Sequence, residues 1–406
     1  MSLGDGATGY GLWVSVGALA LVAVPGVGLR LTGADVDPML AAALSGAGIV
    51  SGAFLLSWAA EVAELDISAS LAIAVLALVA VLPEYSIEAV LAWDAGASFD
   101  PATGAVTEET ARVAANVTGS NRLLIGLGWS AVILIYWLRR RDSVDLRREA
   151  GLEIALLAVV TVAILPIVVI GQVHIVLAVG LIALYGVYLW ISATRDVEEP
   201  DLVGTAAQIA ELPVRQRRTV VVCLFLYAAA VIVLVAEPFV DGLVASGQDL
   251  GVDEFILIQW IAPLASESPE VIVGVMFALR GHPVAGLTAL ISASVNQLTL
   301  LVGSMAVLFS LSAGEVLSFP LDDRQATEFL LTAAVSAAGV LLVARRVVPW
   351  STGAFLLLLF VVHLFFPASE DRMRFVFVYA GLALGVVAMD WGRVRALFPA
   401  SREKAA

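Results

Sequence analysis

Runs of about 20 apolar residues recur along almost the whole chain, and a run of that length wound as a helix matches the hydrocarbon thickness of a bilayer. They fall roughly at 11–31, 38–62, 67–93, 110–138, 151–172, 174–193, 218–243, 253–280, 284–312, 326–344, 351–367 and 372–392. The 406 residues are 60% hydrophobic and only 14% charged, too few polar groups to clothe soluble cores of this length. The expected fold is an all-α integral membrane protein of about 12 transmembrane helices. The first run has no basic segment ahead of it and no small-residue cleavage pattern after it, so it reads as a retained helix.

Arginine-rich short loops stay on the cytoplasmic side, and here the arginines follow even-numbered runs: "RRRDSVDLRRE", Arg195 with "RQRR", Arg280, "ARR" and "RVR". Odd-numbered connections are acidic, as in "DAGASFDPATGAVTEE", "DGLVASGQDLGVDE" and "PLDDRQATE". Both termini are therefore expected in the cytoplasm of a multi-pass protein of the cell membrane. Lys404 is the one lysine, and the net charge is -14, which suits loops hydrated in concentrated salt or, equally, Arg-favouring codon usage. Cys223, alone in an apolar run, excludes an internal disulfide and reads as a small packing residue.

Two stretches repeat one plan. "WAAEVAELDISASLAIAVLALVAVLPEYSIEAVLA" (58–92) and "LVAEPFVDGLVASGQDLGVDEFILIQWIAPLASESPEVIVGVMFA" (234–278) each carry an acidic "AE" helix (Glu61, Glu237), a polar break, and Pro-Glu within the next apolar helix. Each is followed by a helix rich in small and polar residues, "AANVTGSNRLLIGLG" and "LISASVNQLTLLVG". The Pro-Glu helices are five runs apart, so the copies enter the membrane from opposite sides. Two inverted repeats of about five helices are expected, in a first half (1–193, repeat core 67–130) and a second half (218–406, repeat core 253–312) joined by a cytoplasmic linker, 194–217. Inverted repeats with interrupted helices mark secondary transporters, whose site lies near the midplane where the halves meet.

A carboxylate deep in lipid costs several kcal/mol unless it is protonated, paired or bound to a cation. Glu84 and Glu270 occupy equivalent deep positions, each after a proline that removes a backbone donor and frees carbonyl oxygens. Oxygen ligands of these kinds suit hard cations such as calcium and sodium.

These residues carry a family resemblance. "LPE" followed by "NVTGSN", and "SPE" followed by "SASVNQLTLLVGS", resemble the paired alpha-repeats of the calcium/cation antiporter superfamily, the sodium/calcium exchanger fold. The resemblance implies that Glu84 and Glu270 are the central cation-binding, metal-ligating glutamates. It puts Gln297, beside Asn296, at the family's binding amide, Ser266 at a ligand threonine, and either Asn121 or Arg122 at the first-half amide. This chain departs from the pattern at Ala80 and Val81, which remove two oxygens, and at Glu267, which adds a charge. Arg122 is expected to act as a tethered cation or gate paired with Glu267, since a guanidinium stays charged under essentially all conditions. Glu84, Glu267 and Glu270 against Arg122 then leave two negative charges, enough for one divalent or two monovalent ions.

Glu88, one turn beyond Glu84 on the same face, either lines the path or sits near the outer end of its helix. Ser120, Ser292 and Ser294 are possible pathway residues or small residues that let helices approach. Trp13, Trp58, Trp137, Trp190, Trp350 and Trp391 read as interfacial anchors. No nucleotide-binding loop, protease signature or histidine cluster occurs, so neither ATP, nucleic acid nor enzymatic chemistry is expected. The expected function is secondary cation antiport by alternating access, with membrane lipid and inorganic cations as partners and no cofactor beyond the transported calcium, sodium or protons. A non-transporting membrane sensor or scaffold is the alternative.

Overall fold

The computed structural model describes residues 5–63, 65–66, 82–147, 151–194, 202 and 204–395. Within them the chain is helical: α1 (Asp5–Thr32), α2 (Pro38–Ala63), α3 (Leu82–Ser98), α4 (Glu108–Arg140), α5 (Gly151–Ile170), α6 (Ile175–Ala193), α7 (Thr205–Ala210), α8 (Val214–Leu250), α9 (Glu254–Arg280), α10 (Pro283–Ala313), α11 (Asp323–Val343), α12 (Trp350–Leu364) and α13 (Ser369–Arg395). Ten of these are long and apolar enough to cross a bilayer, which makes the chain a multi-pass membrane protein. Of the twelve expected runs, 67–93 lies largely outside the described residues, with Ala80 and Val81. The run 351–367 forms a helix of only 15 residues, Trp350–Leu364.

Helix ends follow local chemistry. Thr107 and Asp322 close capping boxes at the starts of α4 and α11. Arg141 ends α4 in the left-handed region, φ 58°, where the chain turns into "DSVD". Two short antiparallel ladders brace loops, β1 (Val144–Asp145) on β4 (Val347–Val348) and β2 (Gln172–Val173) on β3 (Phe319–Pro320). The acidic "DGLVASGQDLGVDE" is helical through Leu250, because α8 runs 37 residues, longer than a bilayer needs.

The chain divides into two compact units, residues 1–91 with 186–269, and residues 92–185 with 270–406. Each draws on both sequence halves, and the cuts fall inside α3, α6 and α9. In the first unit α2 and α8 pack along their length because small residues let the backbones meet. A Cβ on Gly242 would come within 2.7 Å of the Ala42 nitrogen, and one on Gly52 within 2.8 Å of the Ile232 side chain. Helix α1 leans on this pair, its Arg30 bonded to Glu237 at 2.5 Å and its Ala20 carbonyl accepting from the Tyr227 hydroxyl at 2.6 Å. Glu237 of the second "AE" pair is thus half of a solvent-exposed ion pair. Cys223 corrects the packing expectation: it is exposed on α8.

Segment 194–217 holds α7, whose Ala206 and Ile209 are buried against Leu55, Leu56 and Ala59 of α2. Residues 195–201 and 203 of this segment lie outside the described residues. The Asp66 carboxylate, in the loop after α2, accepts from Arg217 at 2.8 Å and from Arg218 at 3.1 Å, at the foot of α8. The hydrogen bond from Arg217 holds its carboxyl below the ordinary value of 3.8, and burial only partly opposes this.

In the second unit α4, α5, α10, α11, α12 and α13 form the bundle, with α11 packed between α4 and α13. Trp137 stacks on Trp350 with ring centroids 5.0 Å apart, and Arg141 lies 4.3 Å from the Trp137 ring centre. Such an aromatic and arginine pairing suits a membrane interface.

Gly242→Ala is expected to destabilise the protein by about 1–3 kcal/mol through overpacking, whereas Gly17→Ala, which meets no atom within 4 Å, is expected to be neutral. Thermal unfolding in detergent checks both. Asp66 is a depressed acid, so its contribution is present above the ordinary carboxylate value and is lost as pH falls through its lower folded value. The Tm advantage of the parent over Asp66→Asn should therefore persist at neutral pH and vanish on strong acidification.

Candidate cation-binding site

Glu84 stands in α3, directly after Pro83, among the first described residues of that helix. Glu267 lies in the interior of α9. Both are buried, 4% and 0% exposed, and their carboxyl groups lie close enough to interact. Two neighbouring acids in a dry interior call for a shared proton or a bound cation. Glu267, read from the sequence as an added charge and as a partner for Arg122, is therefore half of an acid pair with Glu84. Glu88, one turn further along α3, is completely buried, which places it away from an exposed helix end.

Glu270 is half-buried and follows Glu267 by one turn of α9, on the same face. Pro269 interrupts the hydrogen-bond ladder of α9 and leaves the Ala265 carbonyl without its usual donor. The Ser268 hydroxyl supplies a substitute at 3.2 Å. The freed oxygen expected as a ligand is thus already partly used. The Ser266 hydroxyl is buried and donates back to Ala262 at 3.3 Å, the usual resting place of a serine inside a helix.

The polar stretches of the two repeats share a backbone feature with no sequence cue beyond small residues. One residue after Asn121 and Arg122, α4 widens into a π-helical turn, Leu124–Trp129. Directly after Asn296, α10 does the same over Gln297–Leu301. Such turns are rare and concentrate at functional sites, since they shift the register of the side chains that follow. Asn121 joins the two stretches: its amide nitrogen donates to the Ser294 carbonyl at 3.3 Å, and its amide oxygen accepts from the Ser336 hydroxyl of α11 at 2.8 Å.

Asn296 behaves differently. It is 2% exposed, yet neither its amide oxygen nor its amide nitrogen has a hydrogen-bond partner among the described residues. A buried primary amide left empty at both ends costs free energy that a bound cation and its water would recover. Gln297 beside it is also fully buried. Ser120 and Ser294 donate to carbonyls of their own helices, at 3.0 Å each, and Ser292 is half-buried. Asn116, formally a glycosylation sequon, is buried inside α4.

Arg122 departs most from expectation. It is 1% exposed, its Nε donates to the Thr118 carbonyl at 3.0 Å, and its Nη1 lies 2.6 Å from Glu328 of α11. The other oxygen of Glu328 is 3.5 Å from Arg372 of α13. Sequence reasoning missed both partners. It placed Glu328 in the exposed acidic stretch "PLDDRQATE", whereas α11 begins at Asp323 and buries Glu328 to 1% exposure. The available signal was an acid more than a turn inside a capped helix, and an arginine opening an apolar run.

The family model for the sodium/calcium exchanger protein matches residues 38–194 and 220–368. The chain belongs to the sodium/calcium exchanger family. Among solved structures it is similar to the H+/Ca2+ exchanger CAX, at 37% identity over 95% of this chain and 96% of that one, with a TM-score of 0.89. Native YfkE shares the fold at 14% identity over 86% of this chain and 98% of that one, TM-score 0.61. The selenium-substituted Ca2+/H+ antiporter YfkE does so at 15% identity and TM-score 0.58, with the same coverage. No curated protein matches. Membership makes this exchanger-family chain a transporter by kind, and the all-α architecture read from its apolar runs is the family's fold.

Two of the buried asparagines of this exchanger, Asn121 and Asn296, give opposite predictions. Asn121→Leu removes two hydrogen bonds and should cost about 1–3 kcal/mol. Asn296→Leu removes none among the described residues and should cost less, or stabilise. Chemical or thermal unfolding without added divalent ions compares them, and a larger loss for the Asn296 variant would contradict an unfilled ligand there.

Proposed function

We propose that the protein is a secondary antiporter of the cell membrane that exchanges calcium for protons by alternating access. The observation that carries this is the buried acid pair Glu84–Glu267. Two neighbouring buried carboxyl groups relieve their repulsion by sharing a proton, and the same two groups, both ionised, carry the charge that neutralises one divalent ion. Calcium takes oxygen ligands at about 2.3–2.6 Å, so its entry requires the shared proton to leave. Exchange is thereby competition for one pair of acids, and no other coupling device is required. The 37% identity with a protein described as an H+/Ca2+ exchanger supports this choice over sodium.

Glu270, one turn from Glu267, supplies a further carboxylate, and Glu88 a buried step along α3. Ser266, Asn121, Asn296 and Gln297 offer the hydroxyl and amide oxygens that hard cations accept, with Ser120, Ser292 and Ser294 as pathway residues. The Pro-Glu helices α3 and α9 are separated by an odd number of spans when short α7 is set aside, which supports two inverted repeats and the opposite exposure of their ends. Arginine at the ends of α4 and α9 and at the start of α8 supports cytoplasmic placement of those loops and of both termini.

Purified protein in liposomes, loaded acid inside and given calcium outside, is expected to take up calcium until the pH difference is dissipated. Glu84→Gln, Glu267→Gln and Glu270→Gln should each leave no uptake above empty liposomes. Because protons compete for the pair, the KM for calcium should rise as external pH falls. Uptake indifferent to pH, or surviving Glu84→Gln, contradicts the mechanism, and a folded parent protein that moves no cation supports a sensor or scaffold instead.

A further inference from the structure

The last turn of α4 gathers positive charge beside apolar surface, at a corner of the second unit that the exchange of calcium for protons does not use. Helix α4 closes on Arg139, Arg140 and Arg141, and Arg140 is exposed. Its guanidinium lies over the turn from α9 into α10: a Cβ on Gly281 would come within 3.3 Å of the Arg140 Nη2. Gly281 holds φ at 97°, a conformation that favours glycine, and the bare turn lets the arginine settle there. Arg280, the exposed last residue of α9, immediately precedes it. Arg141 is held over the Trp137 ring, and Trp137 stacks on Trp350, the first residue of α12. The end of α4 thus meets the end of α9 and the start of α12.

Among the described residues no acid pairs with Arg140 or Arg280. The acids nearest in sequence are engaged otherwise: Asp142 accepts from the Ser143 amide at 2.7 Å, and Asp145 pairs with Arg147. Beside this unneutralised charge Leu138 is 59% exposed and Trp350 45%. Cations next to exposed apolar side chains fit an amphiphile, whose phosphate meets the guanidinium groups while its chain covers Leu138 and Trp350. A soluble phosphate would leave that apolar surface bare. Guanidinium groups fork onto phosphate oxygens, and tryptophan settles at headgroup level, so the stacked rings set the depth at which the arginines are offered. We infer that the corner formed by Arg140, Arg141, Arg280 and Trp350 is a binding site for an anionic phospholipid, seated where α4, α9 and α12 meet.

The site needs only that the chain spans a bilayer, and it stands whichever cation is carried. Native mass spectrometry of the full chain in detergent measures its affinity for phosphatidylglycerol, for phosphatidylcholine with the same acyl chains, and for glycerol phosphate, the headgroup without chains. The parent should bind phosphatidylglycerol about tenfold or more tightly than phosphatidylcholine, the scale that a few arginines near an anionic surface supply. Arg140→Gln combined with Arg280→Gln should bring the two lipids to equal affinity. Arg215→Gln, which removes an exposed arginine of the first unit at the start of α8, should keep the parent's preference. Glycerol phosphate at millimolar concentration should displace none of the bound lipid. Should the double variant fail to fold, Arg140→Gln and Arg141→Gln carry the test singly, each expected to lose affinity for phosphatidylglycerol several-fold. Equal affinity of the parent for both lipids would overturn the inference by showing no selection for negative charge. A loss in Arg215→Gln as large as in Arg140→Gln would overturn it by showing diffuse attraction to any arginine, and displacement by glycerol phosphate would replace it with a soluble-phosphate site. None of these results touches calcium uptake into liposomes, so the transport reading and this site fail separately.

Discussion

An ionised carboxylate inside a membrane protein must have a proton, a cation or a cationic side chain, and the structure is organised around two different answers to that demand. Glu84 and Glu267 have each other, and two neighbouring acids are a reversible solution, since either a shared proton or a metal ion satisfies them. Glu328 has Arg122 and Arg372, and that solution is permanent, because guanidinium groups do not deprotonate. One arrangement is suited to exchange and the other to holding a charge in place.

The backbone makes both possible. The π turns after Asn121 and after Asn296 lie at matching places in the two repeated stretches, where ordinary α geometry would send the following side chains elsewhere. Proline does related work in α9, where Pro269 opens the ladder and Ser268 closes part of the gap. In the first unit the glycine faces of α2 and α8 bring two long helices into backbone contact. There, small residues and shape supply the attraction that lipid, as apolar as leucine, withholds.

Much of this was legible from the residues. Helix existence and approximate bounds followed from apolar run length: 218–243 lies inside Val214–Leu250, 253–280 matches Glu254–Arg280, and 284–312 matches Pro283–Ala313. The doubled Pro-Glu motif with its polar followers pointed to the exchanger family, which the family match bears out. Cys223 was misread because composition says which residues sit in a helix but not which face a neighbour covers. The stretch "PLDDRQATE" looked like an acidic loop because its charge is obvious and its helical start is not, yet Glu328 lies buried within α11.

What the sequence determined by itself was the class of molecule. Hydrophobic length fixes membrane helices, and paired acids next to prolines mark residues that lipid will not tolerate unaided, because both constraints act along the chain. Tertiary structure alone decided who meets whom: that Glu267 lies by Glu84, that Arg122 is anchored by Glu328, that Asn121 is occupied and Asn296, among the described residues, is not. Partner choice among buried charges depends on distances between segments far apart in sequence, some separated by about two hundred residues, and no local pattern encodes those distances.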